Sequence, residues 1–289
     1  MDSNTQIGIV EMGANHQKEI EFLCSIAKPD FGYITNFGKA HLEGFGGIEG
    51  VIKGKSEIYD FLISNNKMIF VNSNDAIQVE KTANTTRYVF GNNAQNTDVS
   101  VYFIEAEPFV KCSFNNSEIQ SQLIGDYNFN NIAAAITIGN YFKVDDVAIK
   151  TAIENYIPTN NRSQIIEKGT NKIILDAYNA NPTSMRAALL NFEKQSGHKI
   201  AILGDMFELG NEAKDEHQNI ANLAISLDIH AIIFVGENFY QSKIDNTRVK
   251  QYKTFGDFKN NINFSEIKNS ILLIKGSRGM ALERTLDLL

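Results

Sequence analysis

Along most of the chain, short apolar runs closed by polar or glycine-rich turns alternate with stretches of helical spacing. Residues 7–12 (IGIVEM) and 31–37 (FGYITNF) read as buried parallel strands. The first ends beside Glu11, and the second stops just ahead of a loop rich in Gly, His and Glu. Between them Glu19–Ala27 reads as a short helix, which Lys28-Pro29-Asp30 breaks. From 48 to 63, Ile48, Val51, Ile52, Ile58, Tyr59 and Leu62 fall on one broad helical face, so Lys55 belongs to a helix that follows the His41 loop. Strands are expected at 68–72 and 86–90, with a helix at 75–83.

Residues 99–123 change to short β-like segments, one of them at 110–114, and predict a small antiparallel excursion. Asn128 stands where an N-cap is expected for an apolar helix at 130–142, and a second helix is expected at 145–156. Pro158 and the polar run Thr159-Asn160-Asn161 mark a domain boundary, dividing the chain into 1–158 and 159–289. Beyond Arg162, strands at 172–176, 199–203, 231–235 and 271–274 alternate with helices at 181–194, 213–227 and 280–289. Such alternation predicts an α/β fold, here a Rossmann-like parallel sheet covered by helices.

Length agrees with this division, since 289 residues suit about two domains. A net charge of −7 argues against a nucleic-acid or anionic-membrane surface. Cys24 and Cys112 lack metal-ligand spacing and suit a reducing cytoplasm. No stretch is long and apolar enough to span a bilayer, and residues 1–6 lack a basic-then-apolar signal. The expectation is a cytoplasmic monomer with no membrane insertion.

Strand ends of a parallel sheet share one rim, where open α/β folds keep their ligands. Glu11, His41 and Lys55 are delivered to such a rim in the first half. An acid, a histidine and a helix lysine there suit a Mg²⁺-assisted phosphate reaction, because Mg²⁺ takes few protein ligands plus substrate phosphates. Each also has an ordinary role: a carboxylate that caps a helix, a hydrogen-bonded loop histidine, a solvated lysine. In the second half the clusters after the strands are Asp176-Ala177-Tyr178-Asn179, Gly204-Asp205-Met206, Gly236-Glu237 and Lys275-Gly276-Ser277-Arg278. They read either as the lining of one crevice or as plain caps and turns.

The segments Glu11-Met12-Gly13-Ala14-Asn15-His16, Ala40-His41-Leu42-Glu43-Gly44-Phe45-Gly46 and Lys53-Gly54-Lys55-Ser56-Glu57-Ile58 resemble the central ATPase domain of the Mur ligases. The wording is closest to the branch that adds D-alanyl-D-alanine. DAYNANPTS, LGDMFELG and KGSR in turn resemble that family's substrate-binding C-terminal domain. The resemblance implies that Glu11, His41 and Lys55 are the catalytic magnesium ligands, Lys55 as a carbamate. It implies that Asn128 and Asn131, in a G-x-x-N-x-x-N element, together with Arg162 and Asp176, face ATP. It further implies that Asn179, Asn181, Lys275, Ser277 and Arg278 face substrate. The activity implied is an ATP- and Mg²⁺-dependent amide ligation in peptidoglycan synthesis, joining D-alanyl-D-alanine to UDP-MurNAc-tripeptide through an acyl phosphate. Other readings are a sibling amide ligase, such as the diaminopimelate-adding enzyme or folylpolyglutamate synthase, and a non-catalytic nucleotide- or peptide-binding protein.

Mur ligases hold ATP with a G-x-x-G-K-T loop and the UDP-sugar with a separate N-terminal domain, and neither is found in this sequence. The string from Gly50 to Ser56 has a spacing one residue short of a P-loop and falls within the predicted helix. The expectation is therefore a truncated, inactive chain.

Overall fold

A computed structural model describes residues 4–159 and 161–289. Asn160, part of the polar run expected at the domain boundary, lies outside the described residues, as do Met1, Asp2 and Ser3. The chain splits into two compact units, Met1–Ser100 and Val101–Leu289.

In the first unit the elements are α1 (Glu19–Ala27), β1 (Phe31–Gly32), α2 (Leu42–Phe45), α3 (Ile48–Ser64), β2 (Met68–Asn72), α4 (Ala76–Lys81), β3 (Arg87–Gly91) and β4 (Val99–Ser100). The strands form one parallel sheet in the order β1-β2-β3-β4. Tyr59 and Leu62 of α3 pack with Ile34, Phe37, Ile69 and Val71 to make its core. The Gln78 side chain, fully buried, donates to Ile34 O at 2.9 Å and accepts from Asn72 N at 3.0 Å, which ties the ends of the first two strands together.

Two expectations fail in this unit. Residues 7–12 form no strand, and Ile9 is 92% exposed. An apolar run becomes a strand only when a neighbour offers ladder partners, and among the described residues β1 pairs with β2 alone. The second run is a strand only at Phe31–Gly32, after which Ile34 and Phe37 stay buried through packing rather than pairing.

The second unit opens with the antiparallel sheet β5 (Tyr102–Ala106), β6 (Phe109–Phe114) and β7 (Ser117–Ile124), followed by α5 (Phe129–Tyr141) and α6 (Asp146–Glu154). The antiparallel excursion is thus present. Then come β8 (Gln164–Lys168), β9 (Asn171–Asp176), α7 (Pro182–Glu193), β10 (His198–Gly204), α8 (Ala213–Ser226), β11 (Ala231–Val235), α9 (Glu237–Tyr240), β12 (Val249–Tyr252), α10 (Phe255–Asn261) and β13 (Ser270–Lys275). The six strands run β12-β11-β10-β13-β9-β8, all parallel except β8, which is antiparallel to β9. Ile173, Leu175, Ile202, Val235, Leu272 and Ile274 fill the core on this sheet.

The expected terminal helix is instead two 3₁₀ segments, Arg278–Met280 and Leu282–Leu288. Ala281 between them takes a left-handed φ of 47°, which breaks the α ladder. No helix among the described residues is long and apolar enough to cross a membrane.

Candidate active site

Within the first unit, close backbone approach at glycine brings the three motif segments together. A Cβ on Gly44 of α2 would lie 2.2 Å from Asn15 O and 3.2 Å from His16 Nε2, so residues 15 and 16 lie directly against α2. A Cβ on Gly54 of α3 would lie 2.4 Å from the Phe45 ring, so α2 lies equally close on α3. Only glycine permits both approaches.

The buried Glu57 carboxylate of α3 accepts from Lys18 N at 2.6 Å and Glu21 N at 3.0 Å, supplying the cap that α1 lacks from its own N-cap residue. Glu19 in turn accepts from Asn15 N at 2.7 Å and His16 N at 3.2 Å.

Lys55 projects from α3 and donates to Asn36 O at 2.8 Å. Burial lowers its pKa below the ordinary lysine value. His41 takes a left-handed φ of 52° at the start of α2. Glu11 is exposed in the unpaired N-terminal segment. Gly50 to Ser56 lie inside α3 and form no phosphate-binding loop. Among the described residues no group of three or more His, Cys, Asp or Glu side chains is arranged to hold a metal ion.

In the second unit Asn128 precedes α5, but its side chain does not cap it. Its Nδ2 donates to Ile124 O at 2.8 Å, and its Oδ1 accepts from Asn131 Nδ2 at 3.1 Å. The Arg162 guanidinium stacks 4.1 Å above the Tyr178 ring. Asp176, at the end of β9, accepts from Ser163 N at 3.1 Å and from Lys275 Nζ at 2.6 Å. Lys275 also donates to Asn179 O at 3.2 Å.

Ser277 Oγ donates to Ala180 O at 3.3 Å and accepts from Phe207 N at 2.8 Å, so it knits three rim loops together. Asn181 forms a capping box with Ser184 and starts α7. Arg278 is mostly exposed, 3.5 Å from Glu283. Asp176, Asn179, Lys275 and Ser277 are thus one connected cluster, whereas Asn181 serves a helix end and Arg278 faces outward.

Sequence reasoning placed Asp205 in a strand-end cluster without giving it a role, and His217 it did not single out. Asp205 accepts from Asn238 N at 2.9 Å and Phe239 N at 3.0 Å. His217 accepts from Met206 N through Nε2 at 2.9 Å and donates from Nδ1 to Ala213 O at 2.5 Å. That arrangement fixes a neutral tautomer, and burial lowers the His217 pKa. Asp205 was visible in LGDMFELG as a polar strand end; His217, inside a helix, carried no signal.

Known proteins match this arrangement along nearly all its length. Residues 1–139 fit the Mur ligase middle domain, and 161–278 the Mur ligase glutamate ligase domain. The chain belongs to the Mur ligase family. It is 30% identical over 98% of its length to a UDP-N-acetylmuramoyl-tripeptide–D-alanyl-D-alanine ligase of Bacillus subtilis, and 30% identical over 95% to one of Escherichia coli. A crystal structure of MurF from Acinetobacter baumannii superposes on 95% of the chain with a TM-score of 0.81 at 29% identity. The chain spans 64% and 63% of those two Mur ligases and 62% of the crystallised one, just under two thirds.

Proposed function

We propose that this Mur ligase chain takes part in joining D-alanyl-D-alanine to UDP-MurNAc-tripeptide at the expense of ATP, in the cytoplasm, as a step of peptidoglycan synthesis. The observation that carries this reading is the 30% identity to a ligase of that name over 98% of the chain. The packing of residues 15–16 on Gly44 and of the Phe45 ring on Gly54 supports it, because these contacts join the motif segments in which Glu11, His41 and Lys55 stand.

In this reading the terminal carboxylate of the tripeptide takes the γ-phosphoryl group of ATP, and the amine of D-alanyl-D-alanine displaces phosphate from the acyl phosphate. No side-chain nucleophile is required, and positioning supplies much of the rate. Burial of Lys55 favours its neutral amine, the form that adds carbon dioxide. As a carbamate it would join Glu11 as an oxygen donor suited to Mg²⁺, and His41 would complete the set on family grounds. Bound Mg²⁺ would neutralise charge on the transferred phosphoryl group. Asn128, Asn131, Arg162 and Asp176 would orient the nucleotide, and Asn179, Asn181, Lys275, Ser277 and Arg278 the peptide side. The extents of the two family models leave 140–160 between them and support a division of labour near 158/159.

The test is a chimera in which these 289 residues replace the matching part of the Bacillus subtilis ligase. Ligation of D-alanyl-D-alanine to UDP-MurNAc-tripeptide is expected. A folded chimera that adds a single amino acid, but not the dipeptide, would sink the assignment.

A further inference from the structure

Two segments assigned to the nucleotide lie far apart in sequence yet are joined by a hydrogen bond that the proposed reaction does not explain. Tyr127 stands in the turn between Gly125 and Asn128, and its hydroxyl lies 2.7 Å from Ser163 Oγ. Its ring is seated on Gly125, whose φ is 85° and where a Cβ would come within 2.3 Å of the ring. The phenol is thereby aimed at residue 163. Asn128, next in the chain, passes this placement to Asn131 through their 3.1 Å contact.

On the other side Ser163 is 4% exposed and holds a left-handed φ of 51°. That conformation is uncommon for a serine and persists where surrounding contacts impose it. Its own N–H meets Asp176 at 3.1 Å, and Tyr178 N donates to Asn161 O at 3.2 Å one turn away. Arg162, between them, is stacked on Tyr178. The 161–163 segment is therefore stapled to the end of β9 and reaches the 125–128 turn through one hydroxyl pair. Burial and the nearby Asp176 charge raise the Tyr127 pKa, so the phenol keeps its proton for this bond.

We propose that Tyr127 and Ser163 are positioning residues which hold the Asn128–Asn131 pair and the Asp176 carboxylate in one fixed register, so that a purine nucleotide meets both together. The proposal rests on the reading of Asn128, Asn131 and Asp176 as nucleotide-facing. The exposed Asn131 amide keeps its carbonyl and one N–H for a base edge. Asp176 uses only two of its roughly four lone-pair positions within the chain, which leaves acceptors for ribose hydroxyls.

ADP titrated into the full 289-residue chain and followed by amide NMR tests this. Tyr127→Phe keeps the ring on Gly125 and removes only the hydroxyl. It should weaken ADP about fivefold to tenfold, the scale of one lost hydrogen bond, and should speed hydrogen exchange at the Ser163 amide. Ser163→Ala should do the same, and the double variant should lose no more than either single one. ADP affinity unchanged by Tyr127→Phe overturns the relay while leaving the nucleotide reading intact. Failure of the unsubstituted chain to bind ADP overturns the nucleotide reading and the ligand of this proposal, whatever the exchange rates do. Additive losses in the double variant show two independent effects and also overturn it.

Discussion

Lys275 and Asp176, at the ends of the adjacent strands β13 and β9, meet at 2.6 Å with side chains only 2% and 13% exposed. An ion pair this buried is a poor source of net stability but a costly one to break on one side, because the survivor remains as an uncompensated charge. Lys275→Met should therefore destabilise the chain by about 3–5 kcal/mol. The double variant with Asp176→Asn should recover much of that loss. Urea unfolding of the single and double variants measures both.

Gly44 sits where α2 meets the 15–16 backbone, and the atom in the way of a Cβ is a carbonyl oxygen at 2.2 Å rather than a flexible side chain. Gly44→Ala should force the segment bearing Glu11 away from the segment bearing His41, at a cost of about 1–3 kcal/mol. Denaturant unfolding followed by a probe in the first unit reads the cost. A substitution without effect would show that the approach is not required.

His217 gives the chain a pH dependence. The unfolded histidine takes up a proton near 6.5, whereas burial lowers the folded pKa. Between these two values the unfolded chain binds more protons, so stability rises with pH and is lost as the solution is acidified below about 6.5. Protonation in the folded state also places a second N–H against Met206 N. Unfolding free energies from pH 8 to 5 should show this slope, and His217→Gln should flatten it.

Much of this architecture was legible from periodicity, and what escaped has physical reasons. The parallel β9, β10, β11 and β13 are continuous apolar runs buried on both faces, and such runs announce themselves. Residues 7–12 carry the same signal without being a strand, because composition reports what a segment could bury and says nothing of whether a neighbour is there to pair with it. The polar cluster was legible as strand ends on one rim. Its wiring was not: Ser277 and Lys275 spend their polar atoms on Ala180, Phe207, Asp176 and Asn179, partners set by tertiary packing across as many as 99 positions. Tyr127 and Ser163 were invisible for the same reason, since neither stands in a motif whose chemistry demands the other.

Lys55 should carry a carbamate when carbon dioxide is supplied. With its pKa lowered by burial, it offers a neutral amine at a pH where exposed lysines remain charged, so modification should begin at lower pH than at other lysines. Carbon-13 NMR with labelled bicarbonate should show a carbamate signal that disappears in Lys55→Ala. In the chimeric ligase Lys55→Ala should abolish turnover and a short carboxylic acid should restore part of it. Full activity of Lys55→Arg would mean that positive charge is the useful feature.

The chain by itself should not ligate. Its 289 residues contain no G-x-x-G-K-T string, and the nearest approach to one is held inside α3, where the backbone N–H groups are committed to the helix and cannot cradle phosphate. ATP would then rely on base and ribose contacts from Asn128, Asn131 and Asp176, without the charge-assisted hydrogen bonds that dominate phosphate binding. Phosphate release in the presence of ATP, Mg²⁺, UDP-MurNAc-tripeptide and D-alanyl-D-alanine should fall far below the roughly 1 per second of an ordinary enzyme. Turnover at that ordinary rate would mean that another group grips the phosphates. Lys55 and its neighbours on α3 would be the first residues to substitute in finding it.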